Sequence, residues 1–404
     1  MTADIAVVGA GVVGVTTAHA LAGRGASVCI VDRATGPGRG ASFANGAQLS
    51  YAYTDALASP ALLAKLPGLA LGLDPLFRLK PGLDPGLYTW LAAFLREMTG
   101  AGFARNTCAV LELALASQRA MHDLLARSPI AFDHAVPGKM HLYHDADSLS
   151  AAGRTVALKQ RHGAVQDVLS AQAAITIEPA LAQVEGLQGV VHSPGDAVGD
   201  AHKFSEALLA LCERELGVVA HFGDGVGTVA RRRDGWRIMT AAGATLTVQR
   251  IVLCAGAQSR AIGRKLGLAL PVRPMKGYSF TAPLGPDAPQ VSITDAKRKI
   301  VFCRLGGKLR VAALAELGRH DTQIDPARMA LVRKLAHDAL PRAADLAAIE
   351  QEWAGLRPMT PNSQPIVRWV DPGLGVNTGH GMLGWTLAMG SAERLATAMP
   401  AQTH

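Results

Sequence analysis

The sequence predicts an α/β protein whose Rossmann-like dinucleotide-binding domain is assembled from three chain segments, with a mixed-sheet α+β domain woven between them. Three observations carry that prediction. The chain opens on Asp4-Ile5-Ala6-Val7-Val8-Gly9-Ala10-Gly11-Val12-Val13-Gly14, an apolar strand running into a glycine turn and then a helix. A second α/β stretch lies far downstream, from the helix His202 to Leu216 to the strand Arg250 to Cys254. The chain closes on a strand (Leu374 to Asn377), a glycine loop and a helix from about Trp385 to Met399. The dinucleotide domain of a simple NAD dehydrogenase is one continuous run, so this interleaving argues against that class.

In the first unit each glycine has its own task. Gly9 permits the tight turn, Gly11 lets backbone approach a pyrophosphate, and Gly14 lets the helix lie close on the strand. The free N–H groups at the helix start face the phosphates. The next strand, Ser27 to Val31, ends at Asp32, near the spacing of about 20 residues at which this motif sets a carboxylate on a ribose hydroxyl. Gly36 to Ser50 (GPGRGASFANGAQLS) is longer than a plain connection needs, and long loops of that kind are usually functional.

Ala56 to Phe77 is apolar but broken by Pro60, Pro67 and Pro75. It reads either as a lid or packed inter-domain segment, or as a loop that dips into a bilayer face, which the net charge of +8 favours on anionic lipid. Helical periodicity runs from about Pro85 to Leu125, and Lys139 to His144 alternates like a strand. A hairpin turns at Asp234-Gly235, Val272 to Ala313 is β-rich, and Pro326 to His337 is a polar helix. The expected division gives the nucleotide-binding domain residues 1–80, 196–265 and 351–404. The second domain takes 81–195 and 266–350.

Composition narrows the class. Of 404 residues, 49% are apolar and 18% charged, an ordinary globular balance. The five cysteines (Cys29, Cys108, Cys212, Cys254, Cys303) are scattered with no CxxC, and read as buried thiols of a reducing compartment. The first strand starts at residue 4 and leaves no room for a signal peptide, so a cytoplasmic protein is expected. No uninterrupted apolar run is long enough to span a membrane. The basic run Arg231-Arg232-Arg233 reads as a solvated hairpin end, and no nucleic-acid motif accompanies it. His141 and His144 lack a third ligand nearby, so no metal is expected.

Four separated segments resemble the FAD-dependent D-amino-acid dehydrogenases, within the D-amino-acid oxidase and glycine oxidase superfamily. They are the N-terminal GAGVVG; Ser42-Phe43-Ala44-Asn45-Gly46-Ala47-Gln48; Pro274-Met275-Lys276-Gly277-Tyr278-Ser279; and a tail. The tail carries Gly355-Leu356-Arg357-Pro358-Met359-Thr360-Pro361 and Asn377-Thr378-Gly379-His380-Gly381-Met382-Leu383-Gly384-Trp385-Thr386. The resemblance implies FAD, a substrate domain roofing the flavin, and oxidation of an amine beside a carboxylate. In the dehydrogenase branch it implies electrons passed to a quinone or other respiratory acceptor; peripheral contact at the inner face of the membrane is the expectation that goes with the bilayer reading of the 56–77 loop. Two departures stand in the loop: Gly46 precedes Ala47, and Ser50-Tyr51-Ala52-Tyr53 replaces the commoner Ser-Pro-Gly-Tyr.

The chemistry makes two demands, since the cofactor does the organic work. Something must grip the substrate carboxylate, and something must stabilise charge arriving on the reduced flavin. Arg357, placed after a glycine turn and before a proline, matches a carboxylate with its guanidinium fork. Tyr278 and Tyr53 are candidate second donors, and His380 a candidate cation or donor beside the flavin. The helix after the terminal glycine loop would aim its N-terminus at the same edge. Cofactor contacts are expected at Gly9, Gly11, Val12, Val13, Gly14, Asp32 and Arg33. In the loop they are expected at Ser42, Asn45, Gly46, Gln48 and Leu49, and further on at Val226, Ala255, Gly256 and Gly355. The tail adds Gly379, His380, Gly381, Met382, Leu383, Gly384, Trp385 and Thr386. The leading expectation is deamination of D-amino acids. The alternative is oxidation of a secondary or N-substituted amino acid such as proline, hydroxyproline, sarcosine or an opine.

Overall fold

Two sheets organise the chain in the computed structural model, which describes residues 2–80 and 82–401. The first strand, Thr2–Val8, lies between Val28–Val31 and Thr245–Leu253, parallel to both. Residues 5–8, 28–31 and 251–253 are apolar where the three run side by side, because a parallel sheet is covered on both faces, whereas the first half of Thr245–Leu253 alternates exposed and buried residues. Thr245–Leu253 is long enough to serve two neighbours on its far side. Its first half takes the antiparallel Gly235–Thr240, and its last residues take the parallel Leu374–Thr378. Val219–His221 extends the other edge. Helices Val12–Ala22, Ala201–Leu216 and Gly384–Thr397 pack on this sheet, where Val15, Leu21, Phe204, Leu208, Ala388 and Leu395 form one buried cluster.

The second sheet is nine-stranded and mixed. Its main path runs Gln351–Met359, Arg273–Pro283, Lys308–Leu317, Ile300–Leu305, Ser292–Asp295, Lys139–Tyr143, Gly189–Ser193 and Asp167–Ser170, with Phe77–Leu79 attached to Lys308–Leu317. Helix Pro326–Ala339 covers one face through Met329, Val332 and Ala336. Gln351–Met359 was grouped by the sequence division with the third nucleotide-binding segment. It pairs along its whole length with Arg273–Pro283, so the return of the chain to the first sheet begins at Ile366. Likewise Phe77–Leu79, inside the expected first segment, belongs to the second sheet.

The apolar stretch after Ala56 forms two short helices, Pro60–Leu63 and Leu66–Ala70, before helices Pro85–Glu97 and Gly100–Arg127. The arginine run stands exposed at a hairpin turn, with Arg231 paired to Asp371 at 3.0 Å. Four cysteines are buried, but Cys108 is half-buried on a helix flank. Among the described residues no helix is long and apolar enough to cross a membrane.

Candidate active site

A cavity of about 1270 Å³ runs between the two sheets. That exceeds the roughly 300–1,000 Å³ of an ordinary small-molecule site, and gives room for a dinucleotide with a small substrate beside it. One end is the glycine turn. Gly9 has φ +108°, and a β-carbon there would stand 2.6 Å from the Cys254 carbonyl. A β-carbon on Gly14 would strike the Gly9 carbonyl, so Gly14 sets the contact of helix on strand and does not line the cavity. Gly11 differs: only Ser42 Oγ comes near, at 3.6 Å, and the space above it is open cavity. The helix start has no side-chain cap of its own, and Val12 N donates to Ser42 Oγ at 3.1 Å.

Asp32 holds this turn as well as facing the cavity, accepting from Ala10 N at 2.6 Å and Ala34 N at 2.8 Å. Arg33, Gly225, Val226, Ala255 and Gly256 complete that end, with the Arg33 guanidinium against the Gln258 amide. These features fit the adenosine and pyrophosphate half of FAD: a bare glycine, unmatched helix N–H groups and a carboxylate at the second strand end.

The middle of the cavity is walled by Asn45, Gly46 and Gln48 on one side and His380, Gly381, Met382, Leu383, Gly384 and Trp385 on the other. The helix beginning at Gly384 has no side-chain cap, so its first N–H groups and its positive end are directed at this wall. His380 is buried and its Nε2 lies 3.0 Å from Ser391 Oγ. Burial pushes its pKa down to about 3, so it is a neutral imidazole, and of the two roles expected from sequence, cation or donor, only the donor is open to it. Leu49, Gly379 and Thr386 stand behind the wall. Leu49 is core, a β-carbon on Gly379 would meet Thr360, and Thr386 accepts from Ser50 N at 2.9 Å.

Arg357 reaches the cavity from the middle of strand Gln351–Met359, not from a glycine turn. Gly355 lies in that strand because the Trp353 ring occupies the place of its β-carbon. The Arg357 guanidinium donates to the Leu314 carbonyl at 3.0 Å and has no carboxylate partner among the described residues. Burial lowers its pKa to about 10, which leaves it charged at neutral pH. Tyr278, expected as a second donor, spends its hydroxyl elsewhere. It donates to Glu316 at 3.2 Å, beside the buried Glu316–Arg328 pair at 2.7 Å. Tyr53 does face the cavity, with its ring stacked on His141 at 3.3 Å between centroids and 11° between planes.

Sequence reasoning missed Lys139 as a cavity residue. Its Nζ donates to Gln48 Oε1 at 2.9 Å and Ser50 Oγ at 2.6 Å. A lysine and a histidine two apart on an otherwise apolar strand were the available signal. His144 pairs with Asp295 at 3.1 Å, away from His141. Lys276 is bound to Asp321 at 2.7 Å. Beyond Arg357 the cavity continues as an apolar arm, lined by Leu57, Leu62, Leu66, Leu69, Trp90, Phe94, Met275 and Met359.

A dinucleotide cradle and an unpaired guanidinium on the wall of one cavity define a flavin-dependent oxidoreductase. The model of the DAO family of FAD-dependent oxidoreductases matches residues 4–398, and the chain belongs to that family, with FAD as its cofactor. It is 40% identical to D-amino acid dehydrogenase 2 of Ralstonia nicotianae, over 97% of this chain and 95% of that protein. It is 39% identical to the D-amino acid dehydrogenase of Methylobacterium nodulans, over 97% and 94%. Among solved structures it is similar to glycine oxidase from Geobacillus kaustophilus, with a TM-score of 0.77 and 21% identity over 98% of this chain and 94% of that one. L-proline dehydrogenase from P. horikoshii has a TM-score of 0.76 and 16% identity, over 98% and 92%. These two likenesses are of fold.

Proposed function

We propose that this enzyme oxidises D-amino acids to 2-oxo acids and ammonia and passes the electrons to an acceptor other than oxygen. FAD held by the glycine turn, Asp32 and the Gly384 helix start would supply the redox chemistry, two-electron oxidation of the amine-bearing substrate Cα. The chain's own residues bind and orient. Arg357 grips the α-carboxylate through its fork, and the carboxylate supplies the counter-charge that the protein withholds. The helix N-terminus at Gly384 favours negative charge gathering at its end of the cavity. The imine product is released and hydrolysed by water.

The observation that carries this reading is the unpaired Arg357 facing the same cavity as the glycine cradle. The relatives named D-amino acid dehydrogenase support the D-amino acid class. L-Proline dehydrogenase is alike in fold alone, so the secondary-amine alternative is not favoured. The test is anaerobic absorbance titration of the purified holoenzyme with paired D- and L-amino acids, D-proline and sarcosine. Bleaching of the flavin by primary D-amino acids supports the proposal. Bleaching by secondary amines alone, or by no amino acid, overturns it.

The apolar arm fits an apolar acceptor such as a quinone. Leu63, Leu71 and Leu73, on the segment that walls it, are exposed to solvent. That combination supports a reading in which the protein makes peripheral contact with a bilayer, at the inner face of the membrane for a cytoplasmic protein.

A further inference from the structure

We infer that the cavity wall formed by Lys139, His141 and Gln48 is the subsite for the substrate's side chain, and that the side chain it takes ends in a carboxylate or carboxamide oxygen. This rests on the amino-acid oxidation proposed above and names its substrate class. Lys139 is 4% exposed and His141 3%, both on the cavity wall and two residues apart on strand Lys139–Tyr143, hence on one face of it. An ammonium carries three donors, and Lys139 uses two, both on neutral oxygens. His141 has no partner for either ring nitrogen. Burial holds its pKa well below the usual value, so it offers one donor and one acceptor.

Lys159, Asp55 and Asp196 are the charged neighbours of Lys139. Lys159 is held by Asp55 at 2.6 Å. Asp196, pushed up to about 6 by burial against the pull of the Lys139 charge, accepts from Ala52 N at 2.8 Å and from the Tyr51 backbone, and its Oδ2 has no hydrogen-bond partner. The Tyr53 ring packs under both lysines, 5.1 Å from Lys139 Nζ and 4.7 Å from Lys159 Nζ. Lys139 is therefore a buried cation that feels Asp196 through space, with no carboxylate at ion-pair distance among the described residues and an unused donor. A buried donor left unmade is costly, the more so on a charged group, so a ligand oxygen that fills it is strongly selected.

Strand order sets the reach. The Arg357 guanidinium is anchored on strand Lys308–Leu317, and Lys139 stands three strands further along the sheet. At about 4.8 Å per strand the backbones are roughly 14 Å apart, before both long side chains reach inward. An amino acid with its α-carboxylate on Arg357 and a side-chain oxygen toward Lys139 bridges that interval. An aliphatic side chain leaves the Lys139 and His141 groups orphaned.

The experiment measures apparent Kd for flavin reduction of the holoenzyme by D-glutamate, D-glutamine and D-norvaline under anaerobic conditions. Binding of unreactive glutarate and butyrate, read as perturbation of the flavin absorbance, runs beside it. We expect the wild type to favour the oxygen-bearing member of each set by about tenfold or more. Lys139→Met should reduce that preference about tenfold, with D-glutamate affected more than D-glutamine. A wild type that favours D-norvaline and butyrate, or a Lys139→Met variant with the preference intact, overturns the inference. Should Lys139→Met fail to fold, the wild-type ratios and His141→Phe decide. If no D-amino acid reduces the flavin, the amino-acid oxidation reading falls, and the glutarate-to-butyrate ratio still reports on the subsite.

Discussion

The guanidinium of Arg357 lies across the backbone of Gly277, in the space a β-carbon would occupy on any other residue. The two residues are on adjacent strands, where Gly277 pairs with Gly355 and Met275 with Arg357. On the far side of Gly277 the register slips, from Lys276 opposite Glu316 to Tyr278 opposite Ala313. In that bulge Leu314 takes φ +65°, a left-handed conformation costing a non-glycine residue roughly 1–2 kcal/mol. The bulged residue supplies the carbonyl that anchors Arg357 Nη1 at 3.0 Å. Gly277 and Leu314 are thus positioning residues for the guanidinium.

Gly277→Ala should therefore push Arg357 off its seat without touching the nucleotide end of the cavity. We expect FAD content to hold while the apparent Kd for a D-amino acid rises about 100-fold, the scale of an ångström's misplacement in a binding group. Arg357→Ala should do the same by removing the group. A Gly277→Ala enzyme with wild-type substrate affinity would show that the guanidinium does not hold the carboxylate.

Glycines of the opening turn should divide by what a methyl group meets. At Gly14 it strikes the Gly9 carbonyl, so Gly14→Ala should cost stability even in apoprotein. At Gly11 it meets only open cavity, so Gly11→Ala apoprotein should melt within a few degrees of wild type yet bind FAD at least tenfold more weakly. Apoprotein melting and FAD titration check both. If Gly11→Ala binds FAD normally, the pyrophosphate does not lie over that turn.

What was legible in the sequence follows how local each feature is. The strand, glycine turn and helix of the first unit are written in consecutive residues, and they fold as read. The setting of Arg357 was misread because a glycine two residues earlier signals a turn, whereas Gly355 makes room for the Trp353 ring inside a strand. Tyr278 lines the cavity as expected of a candidate donor, but its hydroxyl is taken by Glu316, a partner that the strand Lys308–Leu317 brings in from 38 residues away. Lys139 was passed over because Gln48 and Ser50, its partners, come from a loop some ninety residues earlier. His380 lines the cavity, but which of its two expected roles is open was not legible, since the burial that removes the cation is a property of the assembled core.

His380 gives a prediction in pH. Its folded pKa is depressed to about 3 from 6.5, so the folded protein takes up fewer protons than the unfolded chain between those values. The contribution is complete above pH 6.5 and is lost progressively as pH falls toward 3. His380→Asn should flatten the decline in melting temperature over that acid range. It should also leave the shape of the flavin-reduction profile between pH 5 and 8 unchanged, because the imidazole is neutral throughout. An inflection near pH 6.5 in wild type that disappears in the variant would contradict the buried, neutral assignment.

The apolar face beside the cavity arm makes the last prediction. Leu71 is 75% exposed and Leu73 73%, an unusual exposure for two leucines on the segment that walls an apolar passage. Burying each in a bilayer interface is worth about 1.5–3 kcal/mol. Two such residues therefore set a difference of tenfold or more in partitioning. Holoenzyme should cosediment with vesicles containing anionic lipid, and Leu71→Asp with Leu73→Asp should weaken that binding at least tenfold. Reduction of the flavin by a D-amino acid should proceed in the double variant, since neither side chain lines the cavity. Transfer of electrons to a water-insoluble quinone in the vesicles should fall with the binding. Equal sedimentation of wild type and variant, or transfer to vesicle quinone that ignores the substitution, would remove this face as the route to the acceptor.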